Sequence, residues 1–134
     1  MGTKYLIDTC AVIKYLDEIF PPEALSFMDD LVDEESNVSF ITKIELLVWN
    51  PPNSTDVEIR KEFLAGSKIH YINEEIIEQA IIIRKETKIK LPDAIIAATA
   101  MFLNSILLSD NDQDFIKVIP LGLKYLNPKT ALIS

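Results

Sequence analysis

Acidic side chains in four separate stretches are the residues of this sequence that could do chemistry together. Asp8 follows the apolar run 5–7, and Asp93 heads a second apolar segment. Glu45 and the acidic stretch 109–115 are the other two members. Clustered carboxylate oxygens without His or Cys partners select hard cations such as Mg²⁺ or Mn²⁺. Such cations bridge substrate phosphates and activate water, so the pattern is typical of metal-assisted hydrolysis.

Each of these acids also has a structural explanation. Asp8 could cap the helix that follows it, and Asp93 could stand in the first turn of a helix, where the macrodipole favours negative charge. Thr42 and Glu45 match a capping box, in which the glutamate binds the backbone of the cap residue. The helix that begins near Asp93 is apolar on every face, however, and its start should be buried. A buried carboxylate is costly unless a cation or hydrogen bonds compensate it.

The stretch 109–115 carries alternating acids at Asp110, Asp112 and Asp114. This alternation is compatible with a polar loop and also resembles a calcium loop. An EF-hand loop requires a central glycine and a closing glutamate, and both are missing here. We therefore do not expect a calcium loop of this kind.

Strands and helices alternate along the chain, and this order must position the acids. Short apolar runs predict strands at 5–7, 38–41, 69–72, 105–108 and either 118–120 or 124–126. Helical spacing predicts helices at 8–16, 22–32, 42–49, 55–65, 74–88 and 92–103. The alternation predicts an α/β fold with a mainly parallel sheet of four to five strands and helices on both faces. Ligands bind such sheets beyond the carboxyl ends of the strands, where each acidic stretch begins.

The composition predicts a single domain over residues 1–134. The chain is 49% apolar, and its lone cysteine, Cys10, cannot form an internal disulfide. No leader or membrane-spanning run is evident, so we expect a cytoplasmic protein. The net charge of −8 argues against nucleic-acid binding unless metal ions neutralise several carboxylates.

Four motifs resemble, in order and spacing, those of PIN-domain proteins, and among these the VapC-type toxins most closely. They are Leu6-Ile7-Asp8-Thr9-Cys10-Ala11-Val12-Ile13, Ile41-Thr42-Lys43-Ile44-Glu45-Leu46, Leu91-Pro92-Asp93-Ala94-Ile95-Ile96-Ala97-Ala98-Thr99-Ala100 and Leu108-Ser109-Asp110-Asn111-Asp112-Gln113-Asp114-Phe115. The resemblance implies a three-layer PIN-like fold and a Mg²⁺- or Mn²⁺-dependent endoribonuclease. It also implies a homodimer and an antitoxin protein whose C-terminal segment occupies the active site.

The resemblance further implies the roles of individual residues. Asp8 and Asp93 would bind the metal directly, Glu45 would bind it or orient a water, and Asn111 and Asp114 would complete the site. Thr9 and Ser109 would support it, because the family's hydroxyl at the latter position commonly binds the first aspartate.

The sequence departs from the family pattern at two positions. Many members carry Asp where Asn111 stands, so the fourth metal ligand could be Asp114, or Asp110 or Asp112 displaced by the loop. Cys10 replaces a more usual polar residue, and we expect it to serve packing.

A metal-bound water would attack the phosphodiester without a side-chain nucleophile. His70, the only histidine, is predicted to be structural. Two rival interpretations are a non-catalytic PIN-fold interaction module and a flavodoxin-like or receiver domain, although the latter would have paired acids after its first strand. Apolar faces at 24–32 and around Trp49 could serve a dimer, and the candidates for phosphate contacts are Lys14, Lys43, Lys85, Lys88 and Lys90.

Overall fold

The computed structural model describes residues 4–48 and 52–131. In chain order its elements are β1 (Tyr5–Ile7), α1 (Thr9–Leu16), α2 (Pro22–Glu34), β2 (Asn37–Ser39), α3 (Phe40–Val48), α4 (Ser54–Ala65), β3 (Lys68–His70), α5 (Glu74–Glu86), α6 (Leu91–Phe102), β4 (Ile106–Leu108), α7 (Asp112–Phe115), a 3₁₀ helix (Ile116–Leu121), β5 (Lys124–Leu126) and α8 (Pro128–Ala131). None of the helices in these two ranges is long and apolar enough to cross a bilayer.

The strands form two parallel sets. In the first, β4 lies between β1 and β5, and Leu108 is level with Ile7 and Leu126. In the second, β2 pairs with β3, and β2 also packs beside β1. The predicted parallel pairing is confirmed, and the five strands are divided between a three-stranded and a two-stranded hydrogen-bonded sheet. Asp8 and Ser109 directly follow the carboxyl ends of two neighbouring strands.

Helices cover both faces of the central strands, because these strands are apolar throughout. Successive side chains of a strand point to opposite faces. Leu6 and Leu107 accordingly pack into one core with α5 and α6, whereas Ile7 and Leu108 pack into a second core with α1 and α2. The predicted three-layer α/β arrangement is confirmed.

The capping box predicted at Thr42 and Glu45 is wrong. The strand expected at 38–41 ends at Ser39, and α3 already begins at Phe40, which places Thr42 inside the helix. The hydroxyl of Ser39 accepts a hydrogen bond from the amide of Ile41 at 3.1 Å. Thr42 is fully buried, so contacts with α1 rather than local capping determine its position.

The structure also decides between the two sites proposed for the last strand. Residues 118–120 belong to the 3₁₀ helix, and the strand is Lys124–Leu126. Pro120 has no N–H group to donate to a sheet. Gly122 ends the 3₁₀ helix with φ of +114°, a left-handed conformation that glycine adopts without strain.

The apolar face at 24–32 is largely used inside the chain. Ala24, Met28 and Leu31 are buried in the second core together with side chains of β1, α1 and β4. This face is therefore unavailable as the dimer surface that the sequence suggested. Trp49, the other suggested dimer position, lies outside the described residues.

Candidate active site

Asp8 stands immediately after β1 with only 4% of its surface exposed. Its Oδ2 atom accepts hydrogen bonds from Ser109 Oγ at 2.8 Å and from Cys10 Sγ at 2.9 Å. The residue occupies the N-cap position of α1, but its carboxylate makes no capping hydrogen bond. Burial raises the pKa of Asp8 above its ordinary value, and the two side-chain hydrogen bonds act in the opposite direction. The carboxylate is therefore held in place at a cost in desolvation.

Asp93 lies in the first turn of α6 and is half-buried. Its pKa is raised to about 6, first by burial and then by the negative charges of Asp8, Asp114 and Glu45, while Lys90 opposes the shift. These four carboxylates come from four distant parts of the sequence. The structure brings them near enough to repel one another, as the order of the elements predicts.

Glu45 is exposed on α3, and its partner is on α1. Thr9 Oγ1 donates to Glu45 Oε1 at 2.6 Å and lies 2.9 Å from Thr42 Oγ1. This hydroxyl chain joins α1 to α3 at the edge of the carboxylate cluster. Thr9 therefore positions Glu45, a contact consistent with the supporting role expected for it.

Asp110 is bound to two lysines rather than directed at the other carboxylates. Its Oδ2 atom accepts from Lys14 Nζ and lies 3.2 Å from Lys129 Nζ. Burial acts to raise the pKa of Asp110, but the hydrogen bonds from Lys14, Cys10 and Lys129 together lower it. The hydrogen bond to Asp110 also raises the pKa of Lys14. Asp110 is thus an ionised partner of lysines.

The carboxylate of Asp112 also has hydrogen-bond partners within the protein. Its Oδ1 atom accepts from the Tyr125 hydroxyl at 2.5 Å and from Asn127 Nδ2 at 3.0 Å. Both donors lie at or just beyond β5, so this carboxylate ties the acidic stretch to the last strand. Burial, followed by the contact with Asp112, raises the pKa of Tyr125.

Asp114 is the acid of this stretch that faces the other carboxylates. Its charge acts on Asp93, and its Oδ2 atom accepts from Asn111 Nδ2 at 3.1 Å. The backbone N–H group of Asn111 donates to Ser109 Oγ at 3.0 Å. Asn111 thus links the hydroxyl that holds Asp8 to the carboxylate of Asp114.

Cys10 is more than the packing residue expected from the sequence. Its thiol donates to Asp8 Oδ2 and, at 3.3 Å, to Asp110 Oδ1, and it lies 3.5 Å from Ser109 Oγ. Burial, followed by the charge of Asp8, raises the pKa of the thiol, so Cys10 remains a protonated donor. Its position two residues after Asp8 was the available sequence signal. The contact of Lys129 with Asp110 had no such signal.

His70 lies at the end of β3, and its Nε2 atom is 2.9 Å from Asn37 Oδ1 on the paired strand β2. Burial and then the charge of Lys68 lower the pKa of His70 below its ordinary value. The ring is therefore predominantly neutral at physiological pH. This environment is compatible with the structural role predicted for it.

The carboxylates fit a hard divalent cation by their chemistry. Asp8, Asp93, Glu45 and Asp114 offer only oxygen atoms, and their mutual repulsion would be relieved by a positive ion. In the ranges that the structure describes, no three His, Cys, Asp or Glu side chains form a ready metal-holding group. Asp8, Glu45 and Asp114 accept hydrogen bonds from protein donors, and the charges of all three act on Asp93.

One family model and several solved structures are similar to this chain. The PIN domain profile matches residues 5–119. Solved structures similar to this chain include a toxin-antitoxin complex from Klebsiella pneumoniae (26% identity, TM-score 0.68, covering 93% of this chain and 98% of that chain). FitAcB from Neisseria gonorrhoeae shares 24% identity with a TM-score of 0.75, covering 92% and 97% of the two chains. DNA-bound VapBC from Salmonella typhimurium shares 17% identity with a TM-score of 0.80, covering 95% and 99%. No curated protein matches the sequence.

Proposed function

Because the chain belongs to the PIN-domain family, we propose that it is a metal-dependent endoribonuclease that hydrolyses RNA phosphodiesters. The observation that carries this proposal is the meeting of Asp8, Glu45, Asp93 and Asp114 at one end of the parallel strands. Carboxylates gathered in this way are costly for a fold and serve naturally as ligands of Mg²⁺ or Mn²⁺. Hydrolysis of a phosphodiester is one of the reactions that such ions assist.

Four residues would hold the metal in this proposal, namely Asp8, Asp93, Glu45 and Asp114. When bound, the cation supplies an activated water and stabilises negative charge on the phosphate oxygens. The rest of the site positions these ligands: Ser109 and Cys10 donate to Asp8, and Thr9 donates to Glu45. Hydrogen bonds of this kind fix the orientation of a ligand and tune its basicity.

Asp114 is our choice for the fourth ligand. Asp110 is engaged by two lysines, and Asp112 is engaged by Tyr125 and Asn127. Asp114 has one amide donor and acts electrostatically on Asp93. Asn111, which supplies that amide, is assigned to positioning Asp114 rather than to binding the metal.

The proposal extends to the biological setting. Similar chains come from a toxin-antitoxin complex of Klebsiella pneumoniae, at 26% identity, and from a VapBC toxin-antitoxin system of Mycobacterium tuberculosis, at 16% identity. We propose that this chain is the toxin of such a pair, that an antitoxin segment covers the carboxylate cluster, and that the free protein is a cytoplasmic homodimer. The antitoxin would silence the nuclease by blocking access of RNA to the cluster.

The test combines cleavage with metal binding. The purified protein is incubated with labelled single-stranded and structured RNA in Mg²⁺, Mn²⁺ or EDTA, and Mn²⁺ affinity is measured by calorimetry. Asp8→Asn and Asp93→Asn should each lower cleavage by about 100-fold or more, since loss of merely supporting residues already costs about 10–100-fold. Asp30→Asn, the same change on the exposed side of α2, should behave as the wild type.

Cleavage that persists in EDTA, or in both site variants, would refute the assignment. The alternative function is a non-catalytic interaction module with a PIN fold. One observation favours it: Asp8, Glu45 and Asp114 already accept hydrogen bonds from protein donors. That function predicts no cleavage with any metal and no calorimetric signal for Mn²⁺.

A further inference from the structure

Lys14 and Lys129 share one buried carboxylate. Both ion pairs that join described residues end on the same atom, Asp110 Oδ2. The Asp110 side chain is only 3% exposed, whereas those of Lys14 and Lys129 are 37% and 43% exposed. One carboxylate neutralises one ammonium group, so the trio retains a net positive charge, and its positive groups are the ones that reach solvent.

This positive charge lies beside the carboxylate cluster. The Cys10 sulfur lies 2.9 Å from Asp8 Oδ2 and 3.3 Å from Asp110 Oδ1, so the two carboxylates share its single proton. A single thiol therefore separates the carboxylate that holds the lysines from the buried carboxylate of the candidate active site. Lys14 lies in the last turn of α1, and Lys129 lies in α8, just after β5. The fold thus brings two lysines from opposite ends of the chain to one edge of the site.

An ion pair that served stability alone would need only one lysine. A second ammonium beside the first adds repulsion between like charges, and ordering a second long side chain costs conformational entropy. The net positive charge of these two lysines and Asp110 is also opposite in sign to that of the chain, which carries 13 Lys and Arg residues against 21 Asp and Glu residues. An anion between the two ammonium groups would offset both costs.

We infer that Lys14 and Lys129 form a binding site for a backbone phosphate of RNA adjacent to the phosphodiester that is cleaved. The inference rests on the proposed function and names the contact that lets an acidic protein hold RNA. Each ammonium group has three donors, so both can bind Asp110 and still donate to phosphate oxygens. Lys14 was among the phosphate contacts expected from the sequence, and Lys129 was not.

The experiment measures RNA affinity without cleavage. Binding of a fluorescein-labelled single-stranded RNA with methylated 2′-hydroxyls is followed by anisotropy in EDTA, over a series of KCl concentrations. The double variant Lys14→Gln/Lys129→Gln is compared with Lys68→Gln/Lys124→Gln, which makes the same charge change. Lys68 and Lys124 are the first residues of two parallel strands, so they lie at the amino ends of the strands, whereas the site lies at the carboxyl ends.

We expect the site variant to lose one phosphate contact. Its slope of log affinity against log salt should fall in magnitude by about 0.7, which corresponds to about fivefold weaker binding at about 0.1 M salt. The control variant should keep the wild-type slope. The single variant Lys129→Gln retains the ion pair between Lys14 and Asp110, so it lowers affinity without disturbing the fold, as checked by circular dichroism.

Equal slopes in the two double variants, or no measurable binding by the wild type, would overturn the inference. Failure of the proposed nuclease function gives a different result. In that case the wild type cleaves no natural RNA in Mg²⁺ or Mn²⁺, while the slope still separates the site variant from its control.

Discussion

Replacing Asp93 by Asn should stabilise the metal-free protein while removing its proposed activity. The carboxyl group is half-buried and faces three other acids, which together with burial raise its pKa to about 6 from 3.8. If this difference in pKa were converted fully into unfolding free energy, it would amount to about 3 kcal/mol. Because the side chain is half exposed, solvent screening reduces the expected gain in unfolding free energy to about 1 kcal/mol.

The sign of the pH dependence follows from the raised pKa. Below about pH 3.8 the group is protonated in both the folded and unfolded protein, so the variant and the wild type should be equally stable. As the pH rises through about 6, the folded protein must carry an unfavourable charge, and this part of its stability is lost. The stabilising effect of Asp93→Asn should therefore grow between these values and remain constant above them.

The assays are urea and thermal denaturation in EDTA at about pH 7.5 and about pH 4, with Asp30→Asn as the matched control. At the higher pH the melting temperature of Asp93→Asn should exceed that of the wild type by about 3 °C. Adding Mn²⁺ should stabilise the wild type by mass action and leave Asp93→Asn nearly unchanged. A variant no more stable than the wild type at about pH 7.5 would refute the claim that the acids repel one another.

Two further predictions concern neighbours of the site and of β3. Ser109→Ala removes a buried donor to Asp8, so it should lower the unfolding free energy by about 1–3 kcal/mol. It should also weaken Mn²⁺ binding by about 10–100-fold. Ser26→Ala at an exposed position is the control, and an unchanged calorimetric affinity of Ser109→Ala for Mn²⁺ would contradict the positioning role. For His70, the lowered pKa means that stability present above about pH 6.5 is lost as the pH falls through the folded-state pKa. His70→Gln should therefore lose less stability than the wild type between about pH 7 and pH 5 in urea titrations, and parallel losses would show that the ring does not govern this range.

Two site positions follow from local sequence. Asp8 comes after an apolar strand, and Asp93 opens a helix that is apolar all round, so strand topology alone sends both to one end of the sheet. Glu45 also lies at this end of the sheet, but the capping box predicted for Thr42 and Glu45 is wrong. The helix begins two residues before Thr42 because Ser39, rather than Thr42, accepts the hydrogen bond at its start.

The fourth site position could not be read from the acidic stretch itself. Asp110, Asp112 and Asp114 alternate with similar neighbours, and their partners are remote in sequence. Lys14 and Lys129 engage the first, and groups at the end of β5 engage the second. Only the packing of α1, α8 and β5 around this loop leaves Asp114 facing the other acids. The same packing converts Cys10 from an expected packing residue into a hydrogen-bond donor shared by two carboxylates.

Residue patterns along the chain were enough to predict the α/β class, the parallel strands and the end of the sheet at which the acids gather. Apolar periodicity predicts strands and helices from neighbouring residues, and their alternation along the chain predicts a parallel sheet. The tertiary structure decided which acids remain available to a metal and which lysines stand beside them. Those choices depend on side-chain partners brought together from opposite ends of the chain, and no local pattern records such pairings.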